Sequence, residues 1–320
     1  DYRLHEVDPI DFNVLRDQGV HWFVQGENHD YIAEEFVELN AAEIDRFSLG
    51  AERVYQAFIK AIQTVAAEAR WEELDIPARA VPLLQHSIQH QLDDYLIGRF
   101  DFAGGFGEFP LKTIEFNADT CSLMPETAII QEEYWEQEKE FLPGEPFNEL
   151  LDSLTERFRA LLDQYPDRSP SLLLTTLGHE EDWLNVEIVV EAAQNAGFTD
   201  IQCLAMDRII FAPQEGIFVE MGEEDYRRYD FFFKMVPWDF ILFEEPELFG
   251  ILEEIILNDH CVVLNPPFAM LLQNKGLLKI VHDSSPELTE ILKASYSAND
   301  FPSYKFVRKP FWGRMGENIE

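Results

Sequence analysis

The feature that most constrains this chain is a strand–helix–strand succession between residues 172 and 206. Residues 172–177 form an apolar run of the buried-strand type. Residues 182–195 carry helical periodicity that Gly197 is placed to end, and residues 201–206 form a second apolar run. Two strands joined through a helix run parallel, because the crossover returns the chain to the same end of the sheet. Further apolar runs at 231–236 and 261–264, with a predicted helix at 247–257 between them, extend the same sheet. The expected fold class is therefore α/β, with a Rossmann-like βαβ region.

The rest of the chain reads less regularly. Residues 1–30 are expected to be irregular, with Pro9, Gly19 and Gly26 interrupting short apolar stretches. Asn40 and Glu43 have the spacing of a helix capping box. Beyond them Ile44, Phe47, Val54, Phe58, Ile62 and Val65 recur near helical spacing, with Gly50 as the place for a break. Another helix is expected at about 79–93. It carries His86 and His90 four apart on one face, with no further zinc ligand nearby in sequence. Residues 95–118 read as two strands joined by a loop at 103–110, whose Gly104, Gly105 and Gly107 suit turns of positive φ. No Gly-Lys-Ser/Thr follows, so this is not a Walker loop. A helix should begin near Pro125, with Glu126 in its first turn, and stop before Pro143 and Gly144. The turn-rich stretch 166–170 marks a boundary. Three regions are expected: 1–165 with helices and the strand pair, 166–285 with the Rossmann-like sheet, and 286–320.

The chain has 320 residues, long enough for two lobes, and a formal net charge of −37. Such a charge repels nucleic acid and anionic membranes and attracts cationic molecules such as polyamines. A solvated acidic surface that only aids solubility is the other reading. No apolar run reaches the roughly 18 residues of a membrane span. Cys121, Cys203 and Cys261 are odd in number and far apart, which fits a reducing cytoplasm. The absence of an initiator Met suggests a lost leader or tag residue. Residues 305–320 concentrate Lys305, Arg308, Lys309 and Arg314 against Glu317 and Glu320. An anionic ligand such as a polyphosphate, or a lysine-protected edge strand, would account for that reversal.

Alternation within the strand pair has a chemical consequence. In the first strand Phe100 and Phe102 lie on one face, and Arg99 and Asp101 on the other. In the second, Ile114 and Phe116 oppose Glu115 and Asn117. Two readings of the polar face are open. Charges on an alternating strand ordinarily face water. Two carboxylates and an amide oxygen are also hard ligands of the kind Mg²⁺ takes, and a neighbouring arginine can stabilise a phosphoryl group in transfer.

The motif Glu115-Phe116-Asn117-Ala118-Asp119-Thr120, followed by Ser122 and by Glu126-Thr127-Ala128, resembles that of the glutathionylspermidine synthase family. That family has Glu-x-Asn-Ala-Asp-Ser/Thr, a serine-containing loop and Glu-Ala. Arg99-Phe100-Asp101 stands where it has Arg-x-Asp, and the segment from Lys234 to Asp239 is similar to its Lys-x-x-Pro/Ala-Trp-Glu/Asp. Asn274-Lys275 matches its Asn-Lys-Ala/Gly element. The stretch from Lys309 to Ile319 matches its Lys-Pro-x-x-Gly/Ser-Arg-x-Gly-x-Asn loop.

The resemblance implies an ATP-grasp-like ligase with its segments in permuted order around an inserted Rossmann-like domain, as in single-domain relatives without the amidase module. It implies ATP and Mg²⁺ as cofactors, with metal ligands at Asp101, Glu115 and Asn117 and a phosphate-stabilising Arg99. Nucleotide contacts fall on Lys275, Lys309, Gly313, Arg314 and Gly316, and substrate contacts on Thr120 and Ser122. The implied reaction joins a peptide-like carboxylate to an amine, a polyamine among the candidates, through an acyl phosphate. A non-catalytic nucleotide-binding scaffold with a degenerate grasp fold is the alternative. The family continues for several dozen residues past its glycine-rich loop, so 286–320 is expected to be only the start of the grasp lobe. Outside the matched site, Cys121 is expected to pack, 178–182 to open a helix or contact substrate, and Lys234 and Trp238 to line the site or pack.

Overall fold

The structure, a computed structural model, describes residues 3–20, 31–301 and 305–313. The chain divides into two compact units that interleave in sequence. One comprises residues 1–39, 121–236 and 259–264, and the other residues 40–120, 237–258 and 265–320.

The first unit is built on a four-stranded parallel sheet in the order Val262–Leu264, Phe231–Lys234, Ser171–Thr175, Asp200–Cys203. Every residue of the first three strands is buried, as expected when helices cover both faces of a parallel sheet. The crossover helix is Glu180–Ala196, and it ends as the sequence predicts. Gly197 takes φ 113° and its N–H bonds back to Ala193 and Gln194, a left-handed cap without Cβ strain. Helix Leu150–Gln164, not anticipated, packs against the crossover helix through Leu154, Phe158 and Leu161. Their spacing of four and then three residues was the available signal.

Two further departures belong to this unit. The amino-terminal stretch is more regular than expected: strand Arg3–Glu6 pairs antiparallel with Glu35–Glu38, and Asp11 caps helix Phe12–Asp17. Ile10, Leu15 and Val20 from it enter a small core with Ile130, Tyr134 and Leu184. Between the parallel strands lies an antiparallel meander, Ile209–Ala212, Gly216–Gly222 and Asp225–Tyr229, whose outer strand is largely exposed. The first two strands carry the short apolar runs Ile209–Phe211 and Ile217–Val219, the signal available in the sequence, whereas the outer strand has none.

The second unit is organised by helix Ala41–Glu68. The capping box is present in full: the Asn40 side chain accepts from Glu43 N–H, and the Glu43 carboxylate accepts from Asn40 N–H. The helix runs through Gly50 without a break. Glycine there serves packing, since a Cβ would lie 2.5 Å from Leu111 Cδ2. The helix packs against Leu277–Ser284, Val81–His90 and Ala269–Gln273. The rings of His86 and His90 meet at a tilt of 47°, with centroids 4.8 Å apart. Among the described residues no group of three or more His, Cys, Asp or Glu is placed to hold a metal. No helix there is long and apolar enough to cross a membrane.

The strand pair Arg99–Ala103 and Lys112–Asn117 is antiparallel and also belongs to the second unit. Its connecting glycines, Gly104, Gly105 and Gly107, adopt φ of 74°, 87° and 51°. Phe100 stacks on Phe116 at 3.8 Å, with Phe58 of the long helix edge-on to both. The expectation for Ile114 fails. A bulge between Asp101 and Phe102 pairs Phe102 with Thr113, so Ile114 is the extra residue and is 41% exposed. Thr113 takes the core-facing place, and its N–H donates to the carbonyl of Glu290.

Candidate active site

Arg99 lies opposite Asn117 and Asp101 lies opposite Glu115 in the strand ladder. Two carboxylates directly facing across an antiparallel pair repel each other, so this register needs cations nearby. The fold supplies three. Arg99 Nε donates to Asp101 Oδ1 at 3.0 Å. Lys309 Nζ sits 3.1 Å from Glu115 Oε2, and Lys275 Nζ is 3.5 Å from the same oxygen. Asn117 Nδ2 approaches Asp101 Oδ2 at 3.5 Å.

The polar face is therefore not simply turned to water. The side chains of Glu115, Lys309 and Lys275 are 22%, 18% and 10% exposed. Burial pushes the Glu115 carboxyl up, yet the Lys309 hydrogen bond and the two ammonium charges outweigh it. The net result holds Glu115 below the usual carboxylate range.

Each lysine is itself positioned. Lys275 follows Asn274, a buried residue whose Nδ2 donates to the carbonyl of Leu74 and whose Oδ1 accepts from Gly276 N–H. Lys275 N–H donates to Phe311 O at 3.0 Å, and its ammonium to Gly313 O at 2.6 Å. The Asn-Lys element and the start of the glycine-rich loop are thus tied together. Lys309 also donates to Ile114 O at 3.3 Å, the residue that the bulge turns outward.

The structure gathers Arg99, Asp101, Glu115, Asn117, Lys275, Lys309 and Gly313 into one cluster within the second unit. Arg314 and Gly316 lie outside the described residues. Thr120 and Ser122, both half-buried, fall on either side of the unit boundary in the chain. Glu126 belongs to the first unit, where it accepts a short hydrogen bond from the Tyr31 hydroxyl. Burial, then that contact, pushes the phenol far up.

The remaining candidates are structural in position. Gly178 has φ 93°, and His179 precedes a helix whose first turn holds Glu180, Glu181 and Asp182. Lys234 is fully buried and donates to Val236 O at 2.9 Å. Trp238 is fully buried, with Nε1–H donating to Asn265 O at 3.0 Å. Cys121 is buried, and all three cysteines are free thiols.

Sequence reasoning missed a layer of buried polar residues behind the cluster. Asp119 accepts a short hydrogen bond from Trp238 N–H, and its own N–H donates to Gln273 Oε1 at 3.0 Å. Asn265 makes a wider set of contacts there. Asp119 lies inside the quoted motif, and Asn265 precedes two prolines, Pro266 and Pro267. Neither position announces a partner so distant in sequence.

Residues 4–320 match the glutathionylspermidine synthase pre-ATP-grasp family. The chain belongs to the glutathionylspermidine synthase family. A Haemophilus influenzae protein named "Putative acid--amine ligase" is 26% identical over 310 residues, covering 96% of this chain and 74% of its own length. Trypanothione synthetase of Crithidia fasciculata is 24% identical over 291 residues, and the bifunctional glutathionylspermidine synthetase/amidase of Escherichia coli 25% over 263. These two alignments take in 80% and 77% of this chain but only 41% of each relative, so the chain spans less than half the length of either. Among solved structures, a glutathione synthetase-like effector from Globodera pallida superposes with TM-score 0.51 at 10% identity, over 77% of this chain and 60% of that one. That likeness supports a mixed α/β fold of the glutathione synthetase type. The named relatives in the family are ligases and synthetases.

Proposed function

We propose that this family member is an ATP-dependent carboxylate–amine ligase, and that the clustered strand-pair residues form its nucleotide–metal site. One observation carries this reading: the facing Asp101 and Glu115 carboxylates are balanced by Arg99, Lys275 and Lys309 on a half-buried surface. A purely structural strand pair gains nothing from two opposed carboxylates that need three cations. The donor set fits Mg²⁺, with Asp101, Glu115 and the Asn117 amide oxygen as its protein ligands. When bound there, the metal would neutralise phosphate charge.

In the proposed reaction a substrate carboxylate oxygen attacks the γ-phosphorus of ATP, and the bond to the ADP oxygen breaks. An acyl phosphate results. The amine nitrogen then attacks the acyl carbon, loses a proton to solvent, and displaces inorganic phosphate to leave the amide. Arg99 is suited to the charge on the transferring phosphoryl group, and Lys275 and Lys309 to the nucleotide phosphates. The glycine-rich segment from Gly313 through Arg314 to Gly316 would offer backbone N–H groups to the same phosphates. Thr120 and Ser122 are assigned to the acid substrate, which we take to be a peptide-like carboxylate. The strongly acidic chain favours a cationic amine, a polyamine among the candidates.

In architecture we read the strand-pair unit as part of a permuted ATP-grasp and the parallel-sheet region as its inserted Rossmann-like domain. In the three-region division, 1–165 carries the motif, 166–285 the sheet and 286–320 the start of the grasp lobe. Three free thiols accord with a cytoplasmic setting.

The test is ADP release by the full-length protein with a panel of peptides and amines, with products identified by mass spectrometry. Glu115→Ala should abolish turnover while leaving the circular dichroism unchanged. Unchanged turnover would remove the metal assignment. Binding of Mg-ATP without ADP formation from any pair would favour the scaffold alternative.

A further inference from the structure

The strand pair that carries the cluster is held at one end by a side chain belonging to neither strand. Asn265 is fully buried. Its Oδ1 accepts from the backbone N–H of Leu96 at 2.8 Å and of Ile97 at 3.2 Å. Its Nδ2 lies within hydrogen-bond distance of the carbonyls of Ile97 at 2.8 Å, Asp119 at 3.0 Å and Ala118 at 3.2 Å, its two hydrogens shared among the three. Leu96 and Ile97 lead into the first strand, and Ala118 and Asp119 lead out of the second. One amide thus bridges the two chain segments beside the Arg99–Asn117 pair.

The chemistry of the contact selects an amide. Two N–H groups require an acceptor, and three carbonyls require a donor from the same side chain. Asparagine supplies both in a short planar group, whereas aspartate has no proton to give and leucine satisfies neither set. A flipped amide would set its NH₂ against two backbone N–H groups, so these contacts fix its orientation. The surroundings reinforce it: Trp238 Nε1–H holds the Asn265 carbonyl, and the Tyr95 hydroxyl donates to Ala118 O at 2.8 Å. A two-stranded ribbon has little stability of its own, and this one is bulged and joined by a glycine-rich loop at its other end. Its strand spacing at the Arg99 end therefore depends on the bridge.

We propose that Asn265 is a positioning residue for the nucleotide–metal site, setting the separation of the two strands and so the placement of Arg99, Asp101 and Asn117. This inference rests on the reading of that site given above. It predicts a selective defect. Loss of the bridge should disturb the oxygen ligands that span both strands more than Lys275, whose main chain and ammonium are also tied to Phe311 and Gly313.

The experiment titrates full-length protein with an ATP analogue bearing a non-transferable γ-phosphate, by calorimetry, with and without Mg²⁺. Two variants are compared with wild type, each first checked for folding by circular dichroism. Asn265→Asp keeps the acceptor contacts but cannot donate. Trp238→Phe leaves the bridge in place and removes one brace. For Asn265→Asp the metal-dependent gain in affinity should fall about tenfold or more while metal-free binding changes less than about twofold, and Trp238→Phe should show a smaller shift of the same kind. A folded Asn265→Asp protein with the wild-type metal dependence, or with equal losses in both titrations, overturns the proposal. If Asn265→Asp does not fold, the same ratio measured on Trp238→Phe decides it. Wild-type protein that binds no nucleotide would sink the function reading and this inference together. Wild-type binding with unaltered variants would sink the positioning role alone.

Discussion

The parallel sheet and the antiparallel strand pair use phenylalanine-rich strands to opposite ends. In the sheet, Phe231, Phe232 and Phe233 are all buried, so both faces of the strand are core. In the pair, Phe100 and Phe116 bury one face, and the other face carries Arg99, Asp101, Glu115 and Asn117. Their lysines differ in the same way. Lys234, in the sheet, is closed off and donates to a nearby carbonyl, whereas Lys275 and Lys309 meet at a carboxylate on a half-buried surface. A strand covered on both sides has no open face along its length. A strand covered on one side keeps a face on which charges can be held in fixed register.

The comparison breaks most sharply under substitution of a charged residue on the pair. Arg99→Ala should lower ADP formation by about 10³-fold or more, with the fold intact by near-ultraviolet circular dichroism. A change of only a few fold would mean that the polar face is solvated surface after all. In the sheet the reverse pattern is expected. Phe232→Ala should cost about 3–5 kcal/mol in urea unfolding, without altering nucleotide affinity of the protein that remains folded.

A smaller effect tests the core side of the pair. A Cβ at residue 98 would fall 2.1 Å from the Tyr95 hydroxyl and 2.8 Å from Phe116 Cε2. Tyr95 is tied to Ala118 and cannot swing clear freely. Gly98→Ala should therefore destabilise by about 1–3 kcal/mol, measured by thermal or urea unfolding. A neutral result would mean that the aromatic cluster yields more readily than its contacts imply.

The smallest effect concerns pH. Glu115 is held below the ordinary carboxylate range in the folded state, so its contribution to stability is present above that range. It is lost as pH falls through the depressed folded-state value. The difference in melting temperature between wild type and Glu115→Gln should be constant near neutrality and shrink in acid. A difference that grows with acidification would contradict the ion pairs with Lys275 and Lys309.

Much of the fold was legible because its signals are local. Apolar runs, helical spacing, the Asn40–Glu43 capping box and the Gly197 stop each depend on residues within a few positions of one another. The outward turn of Ile114 was not legible, because a bulge is set by the partner strand's register rather than by either strand's own alternation. The meander from Ile209 to Tyr229 was not anticipated: Ile209–Phe211 and Ile217–Val219 are apolar runs of only three residues, and Asp225–Tyr229 has none.

The candidate site divides along the same line. Sequence by itself determined which faces of the strand pair are polar and, through the ordered motif, which lysines belong with them. Only the tertiary structure decided that Lys275 and Lys309 converge on Glu115 and that Asn265 joins the ends of the two strands. Those contacts link residues about 150 or more positions apart, where chain connectivity alone leaves their geometry open. Their geometry is set by packing and by the need of buried polar groups for partners.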